Sequence, residues 1–338
     1  MSSALTLIDE LGRTTRQIDE RNAEIARLRQ ENEQLRRAAI ARTLTAAAQP
    51  DAGEAAIAAA GALEAGDPRP AEALLGSQEH EEAAQIGRAG EDEPRQRRQA
   101  AALAREQGAL AMGHDVRAAL AAFQRAAEYE PDDTWTHFFI GDLHVRLGDL
   151  NAGMQSFRRG VARAEARLQA IPDDADAKRD LSVSHSKIGD VLVAQGDGAG
   201  ALAAYRKGLG IAEALAARDP ANTQWQRDLS VSHERIGDVL VAQGDGAGAL
   251  AVYRKGLGIA EALAARDPVN AQWQTDVAVS CAKLGALAHG QNVEVRRGYL
   301  LRGREILAEL KEEGRLLPNQ DRMEWFDREL AQLSSNQP

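Results

Sequence analysis

Three kinds of side chain with a claim to chemistry recur in this sequence at one interval. His137, His185, His233 and Cys281 form one column, and Asp142, Asp190 and Asp238 form a second. Lys187, Arg235 and Lys283 form a third, three residues earlier in the same register, which is one helical turn back. Imidazole and thiolate are zinc ligands. A file of carboxylates could recruit a positively charged peptide, or could be closed within the chain by the basic column beside it. Gly196-Asp197-Gly198-Ala199-Gly200 outlines a phosphate cradle, and Cys281 is a nominal nucleophile.

Each of these chemistries is tested by what must surround it. Helices in a stack lie about 10 Å apart, too far for several rings of the His/Cys column to share one ion, so the column reads as a packing position. Cys281 has Ser280, Ala282 and Lys283 beside it and no general base. A phosphate loop follows a strand and ends in Lys-Ser/Thr. The glycine run occurs twice, lacks that ending and joins two helical patterns, so it reads as a turn. No catalytic residue, cofactor site or metal site is expected, and the chain is read as a binding protein and not an enzyme.

The interval comes from a duplication. Residues 180–225 (DLSVSHSKIGDVLVAQGDGAGALAAYRKGLGIAEALAARDPANTQW) return at 228–273, an offset of 228 − 180 = 48 residues. Only Ser186/Glu234, Lys187/Arg235, Ala204/Val252, Ala221/Val269 and Thr223/Ala271 differ. A period of this size marks a solenoid in which each unit buries its apolar face on its neighbours. From Arg97 onward apolar residues recur at i, i+3 or i+4, turns carry Gly-Asp, and Pro131, Pro172, Pro220 and Pro268 end the second helix of each pair. No run alternates with period two. The expected fold is all-α, a right-handed α-solenoid of helix pairs. Gly208, Gly210, Gly256 and Gly258 sit inside second helices at about 1 kcal/mol each relative to Ala, which predicts close approach of a neighbouring helix.

Composition narrows the partners. The formal net charge is −10, which argues against nucleic acid or an anionic membrane as the main partner. A single cysteine permits no intrachain disulfide. The first residues lack the apolar core of a signal peptide and no window is apolar enough to span a bilayer, so a cytoplasmic location is expected.

Residues 4–42 carry a heptad with Leu11, Ile18, Ile25, Asn32 and Ala39 at a, and Leu28 and Leu35 at d. Ile at a with Leu at d favours two parallel strands, and one Asn at a fixes register. Glu24 would face Arg29, and Glu31 would face Arg36, of a second copy. Leu11, Ile18, Ile25, Leu28, Asn32 and Leu35 are therefore the expected seam of a homodimer. The alternative is one amphipathic helix lying on the chain's own solenoid. The expected organisation is a coiled-coil helix at 1–46, a degenerate helical repeat or linker at 51–96, the solenoid at 97–318 and a capping helix at 319–335. In the cap, Trp325, Phe326, Leu330 and Leu333 share one side.

The helix pairs resemble tetratricopeptide repeats. Ala119, Phe123, Ala126 and Pro131 stand at that family's small, aromatic, small and proline positions. Ile140, Gly141, Gly148 and Phe157 match in the next unit, and Ile188, Gly189, Gly196, Ala201 and Tyr205 in the one after. Ile236, Gly237, Gly244, Ala249 and Tyr253 follow, while a fifth unit keeps Leu284 and Gly285. The 48-residue spacing departs from the family's 34 and is similar to that of bacterial long-repeat members, implying helices longer by about a turn or two. The resemblance implies a non-enzymatic scaffold or adaptor whose first helices line a concave groove. Phe138, Asp142, Asp190, Asp238 and Glu234 are its candidate groove residues, and a basic or amphipathic protein segment is the expected partner. The alternatives implied are a peptide-sensing regulator or the accessory subunit of a bacterial effector or signalling enzyme.

Overall fold

The computed structural model describes residues 36–37, 39–41, 43–45, 47–49, 54–86, 93–287, 292–316 and 320–335. Among these residues there is no strand. The chain divides into two compact units, one ending at Gly153 and one beginning at Met154. The first holds α1 (helical residues within 36–47), α2 (Glu54–Glu64), α3 (Arg69–Gln85), α4 (Glu93–Ala111), α5 (Val116–Tyr129) and α6 (Thr134–Arg146). The second holds most of α7 (Leu150–Ala170), then α8 (Ala175–Ala194), α9 (Gly198–Arg218), α10 (Thr223–Ala242), α11 (Gly246–Arg266), α12 (Ala271–Ala286), α13 (Val293–Glu312) and α14 (Met323–Ser335).

Local sequence ends each helix where the pattern requires. At the Gly-Asp-Gly turns the chain leaves α8 through Gly196 at φ +80° and α10 through Gly244 at φ +80°. Only glycine enters that region without cost. The turn recovers two orphan carbonyls: Gly196 N–H donates to Val193 and Asp197 N–H donates to Leu192. Asp197 then caps the next helix, its carboxylate accepting from Gly200 N–H at 2.8 Å. The glycine run is thus a turn with a cap. At the other ends, α5, α7, α9 and α11 stop two residues before Pro131, Pro172, Pro220 and Pro268. The duplicated pairs have helices of 20 and 21 residues, against 14 and 13 in α5 and α6. The extra length of the 48-residue period lies inside the helices.

Packing within a pair is a knob in a hole. A Cβ on Gly237 would collide with the Tyr253 ring, and one on Gly189 with the Tyr205 ring. Gly108 receives Phe123, and Gly285 receives Leu300, in the same manner. A second tie lies a turn or two away, where Ser182 Oγ donates to the Gly208 carbonyl at 2.8 Å and Ser230 Oγ to that of Gly256 at 2.9 Å. The neighbouring helix therefore does press on Gly208 and Gly256. It does not press on Gly210 or Gly258, where an added Cβ would meet nothing within 4 Å. That part of the sequence expectation is corrected.

The two ends also settle locally. Ala39, assigned to the heptad seam, is 2 % exposed and packs with Ala59, Ala71, Leu75 and Leu110 of its own unit. Arg36, assigned to an interchain pair, lies beside Gly113. Ala39 thus belongs to the core of its own unit. Leu11, Ile18, Ile25, Leu28, Asn32 and Leu35 lie outside the described residues. At the other end α14 packs on α13, burying Phe326 and Leu333 with Leu300, Leu307 and Leu310.

The contrast among glycines gives a paired expectation. Gly237→Ala must displace the Tyr253 ring and should cost about 1–3 kcal/mol, as overpacking does. Gly258→Ala should stabilise by up to about 1 kcal/mol, because it restores helix propensity without a clash. Urea unfolding of the two variants reads both signs.

Candidate functional site

The acidic column is not open. Asp190 of α8 accepts from Tyr205 Oη at 2.7 Å and from Arg235 of α10 at 2.8 Å. Asp238 of α10 repeats this with Tyr253 Oη at 2.6 Å and Lys283 of α12 at 2.6 Å. Arg235 and Lys283 also stand over the Tyr205 and Tyr253 rings, 5.9 and 5.6 Å from their centroids, which adds a cation–π contact. Each aspartate is therefore held by its own pair's tyrosine and holds the next pair's cation. Asp142 and Lys187 are buried, and each has an interaction of its own. The ladder expected to meet a basic partner is neutralised within the stack at Asp190 and Asp238.

A second line of ion pairs runs beside the first. Arg179 of α8 reaches Asp228 of α10 at 2.6 Å, and Arg227 of α10 reaches Asp276 of α12 at 2.6 Å. The side chains in these two lines are 11–32 % exposed, shielded enough to outweigh an ordinary surface pair while still in touch with solvent. Between the lines stands a column of Val183, Val231 and Val279, all half-buried. On α10 the order is Arg227, Val231, Arg235, one residue per turn along one stripe. At about 100° per residue, Val231 stands roughly 120° from Gly237, the residue that meets the partner helix. The first helices of this unit thus present an apolar track between two charged rails.

The valine column and the Arg179/Arg227 rail were missed by sequence reasoning. Both repeat every 48 residues and could have been found by asking which positions share a stripe with the basic column. The remaining candidates are placed as follows. Phe138 is 1 % exposed and stacks edge-on to Trp135 with ring centroids 5.3 Å apart, so it packs inward. Glu234 is drawn into the interface between α10 and α12, accepting from Ser280 Oγ at 2.6 Å. Its counterpart Ser186 makes no such contact possible, so this carboxyl is peculiar to one unit. Burial pushes Glu234 up to about 7, against Lys283 and Ser280 that hold it down; Asp276 and Asp238 add to the rise.

The His/Cys column is a packing position. His137 Nε2 bonds the Pro131 carbonyl at 2.9 Å. Burial and a lysine, Lys207 or Lys255, push His185 and His233 below the usual 6.5, which disfavours their charged form. Burial pushes the Cys281 thiol up to about 11, leaving little thiolate at neutral pH. Among the described residues no group of three or more His, Cys, Asp or Glu could hold a metal ion, and no helix is long and apolar enough to cross a membrane.

Glu234 supplies a pH expectation. A carboxyl whose folded pKa lies above its usual 4.5 binds its proton more tightly in the folded state. Its stabilisation is complete below about 4.5 and is lost as pH rises through about 7. The loss is at most about 3 kcal/mol. Glu234→Gln should flatten the fall in stability between pH 5 and 8 as seen by chemical denaturation; an unchanged pH profile would exclude this role.

No family model and no curated protein matches the chain. Among solved structures it is similar to MamA, at 13 % identity over 61 % of this chain and 96 % of that one, with a TM-score of 0.35. It is also similar to the apo form of RapI, at 14 % identity over 70 % and 83 %, with a TM-score of 0.46. BtubC from P. vanneervenii gives 12 % identity over 78 % and 94 %, with a TM-score of 0.46.

Proposed function

We propose that this protein is a non-enzymatic scaffold of tetratricopeptide type that holds a segment of a partner protein along the first-helix face of its second unit. The observation that carries the reading is the Val183–Val231–Val279 track between two rails of ion pairs. An apolar strip with polar borders fits an amphipathic segment, whose apolar side chains would lie on the valines while its polar groups meet the rails. Asp190 and Asp238 are already matched by Arg235 and Lys283, so charge on this face favours register over net attraction of a basic chain. Glu234, drawn between α10 and α12, supports the face from beneath in this proposal. A peptide-sensing regulator would use the same track.

Peptides selected by display against the full chain should lose at least tenfold in affinity when Val183, Val231 and Val279 are all changed to Ser. The variant should lose no more than about 1 kcal/mol of stability per site, the ordinary cost of a half-buried change. Asp190→Asn with Asp238→Asn should instead lower the melting temperature, because each leaves a shielded cation unmatched. Selected peptides that bind the valine variant as well as the wild type would rule out the track.

Dimerisation through Leu11, Ile18, Ile25, Leu28, Asn32 and Leu35 is the second part of the proposal, supported by the Ile/Leu heptad with its single Asn. Removing residues 1–35 leaves Ala39 in the first unit's core, so the shortened chain should fold. Light scattering should then give the monomer mass; an unchanged dimer mass would place the interface elsewhere.

A further inference from the structure

A different feature lies on the opposite side of the same unit. His233 is two residues from Val231, about 200° around α10, and so faces away from the railed track. There it joins the wall of a cleft of about 640 Å³, closed at one end by Pro220 and formed along its length by α11. The α11 wall carries Arg254 and Lys255 at its start, Gly258 and Ala262 in the middle and Arg266 at its end. Lys255 and Arg266 are eleven residues apart, close to three full turns, which aligns them along the cleft at a separation of about 16 Å.

Three observations mark this cleft. First, Gly258 is exposed in the middle of a helix, and a Cβ there would meet nothing within 4 Å. Nothing in the fold requires the missing side chain, although it costs about 1 kcal/mol relative to Ala. A bare stretch of backbone is what a closely approaching ligand needs. Gly210 of the preceding pair is equally bare, flanked by Arg206 and Lys207 before it and Arg218 after it. Second, neither Arg254 nor Lys255 has a carboxylate partner among the described residues. Arg266 donates to the carbonyls of Pro220 and Ala221, which fixes its charge at the cleft's end without neutralising it. Third, His233 is 4 % exposed with its Nδ1 unpartnered. Glu213 of α9 is the opposing charge whose field reaches His233.

We propose that this outer cleft, and its counterpart at Gly210, takes an acidic segment of a partner protein. One carboxylate meets Arg254 and Lys255, a second meets Arg266, and the apolar residues between them lie over Gly258 and Ala262 against Ile259. At 3.3–3.6 Å per extended residue, the span of about 16 Å separates the two acids by roughly five residues. The cations gathered at the two ends of an apolar floor give the charge complementarity, which is local, since the chain as a whole carries a net charge of −10. The same net charge disfavours a polyanion such as nucleic acid, which would have to approach the whole acidic chain. The site is independent of the railed track.

The test uses the full chain and a fluorescein-labelled peptide Glu-Leu-Ala-Leu-Ala-Glu, read by fluorescence anisotropy at low ionic strength. The wild type should bind it saturably, and the peptide with Gln in place of both Glu should bind at least tenfold more weakly. Gly210→Leu with Gly258→Leu should weaken binding at least tenfold with helicity unchanged and melting temperature equal or higher, so a folding defect cannot explain the loss. Lys207→Ala with Lys255→Ala should weaken it comparably, while the valine-track variant should bind as the wild type does. No saturable binding below about 1 mM, where affinity falls to about 4 kcal/mol, would overturn the proposal. So would full binding by the double leucine variant. An oligothymidylate that binds more tightly than the peptide and is lost in the same variants would also overturn it in favour of nucleic acid.

Discussion

The contact between a first-helix glycine and a second-helix tyrosine governs the second unit. With no side chain at Gly189 or Gly237, the Tyr205 or Tyr253 ring lies against backbone and the two helices close on one another. That placement aims the phenol hydroxyl at Asp190 or Asp238. The aspartate, oriented by its own tyrosine, then accepts the arginine or lysine of the following pair. One steric choice therefore sets the spacing inside a pair and the electrostatic link to the next. Ser182 and Ser230, bonded to the carbonyls of Gly208 and Gly256, hold the same close approach from the other end of the helix.

This arrangement explains how an alanine-rich chain with few aromatics can stack. Small residues give a thin core, so the burial of Tyr205, Tyr253 and Leu257 with Ile236 and Leu284 must be supplemented. The supplement is directional: two rails of ion pairs and, at the helix ends, Arg218 and Arg266 bonded to carbonyls of the preceding turn. Hydrogen bonds of this kind contribute about 1 kcal/mol each, but they fix rotation between pairs more tightly than apolar contact does.

Much of this was legible from the period alone. A 48-residue repeat demands that equivalent residues meet equivalent neighbours, and the prolines and Gly-Asp turns mark where each helix stops. What the period does not give is the direction in which a side chain looks for its partner. Asp190 and Lys187 sit one turn apart on one helix, yet Asp190 bonds Arg235 of the next pair. For the same reason the four mid-helix glycines looked alike in sequence, while Gly208 and Gly256 face a neighbouring helix and Gly210 and Gly258, two residues on and about 200° around, face solvent. Phe138 illustrates the converse: a large apolar residue at a position expected to face a groove was taken inward by Trp135.

The rails also have a direction, and a last sleeper. Each pair in them offers an Arg at one register position and an Asp at another to its successor. In α12 those two positions, 48 residues beyond Arg227 and Asp238, are occupied by Thr275 and Ala286. Thr275 turns its hydroxyl back to the Ala271 carbonyl of its own helix. Copying a unit upstream of α12 preserves every link, since donor and acceptor ends are duplicated together. Joining anything after α12 finds no matching group. The array is thus written like a polymer with a chain terminator: it can lengthen by duplication from within, and its two lines of ion pairs end at α12.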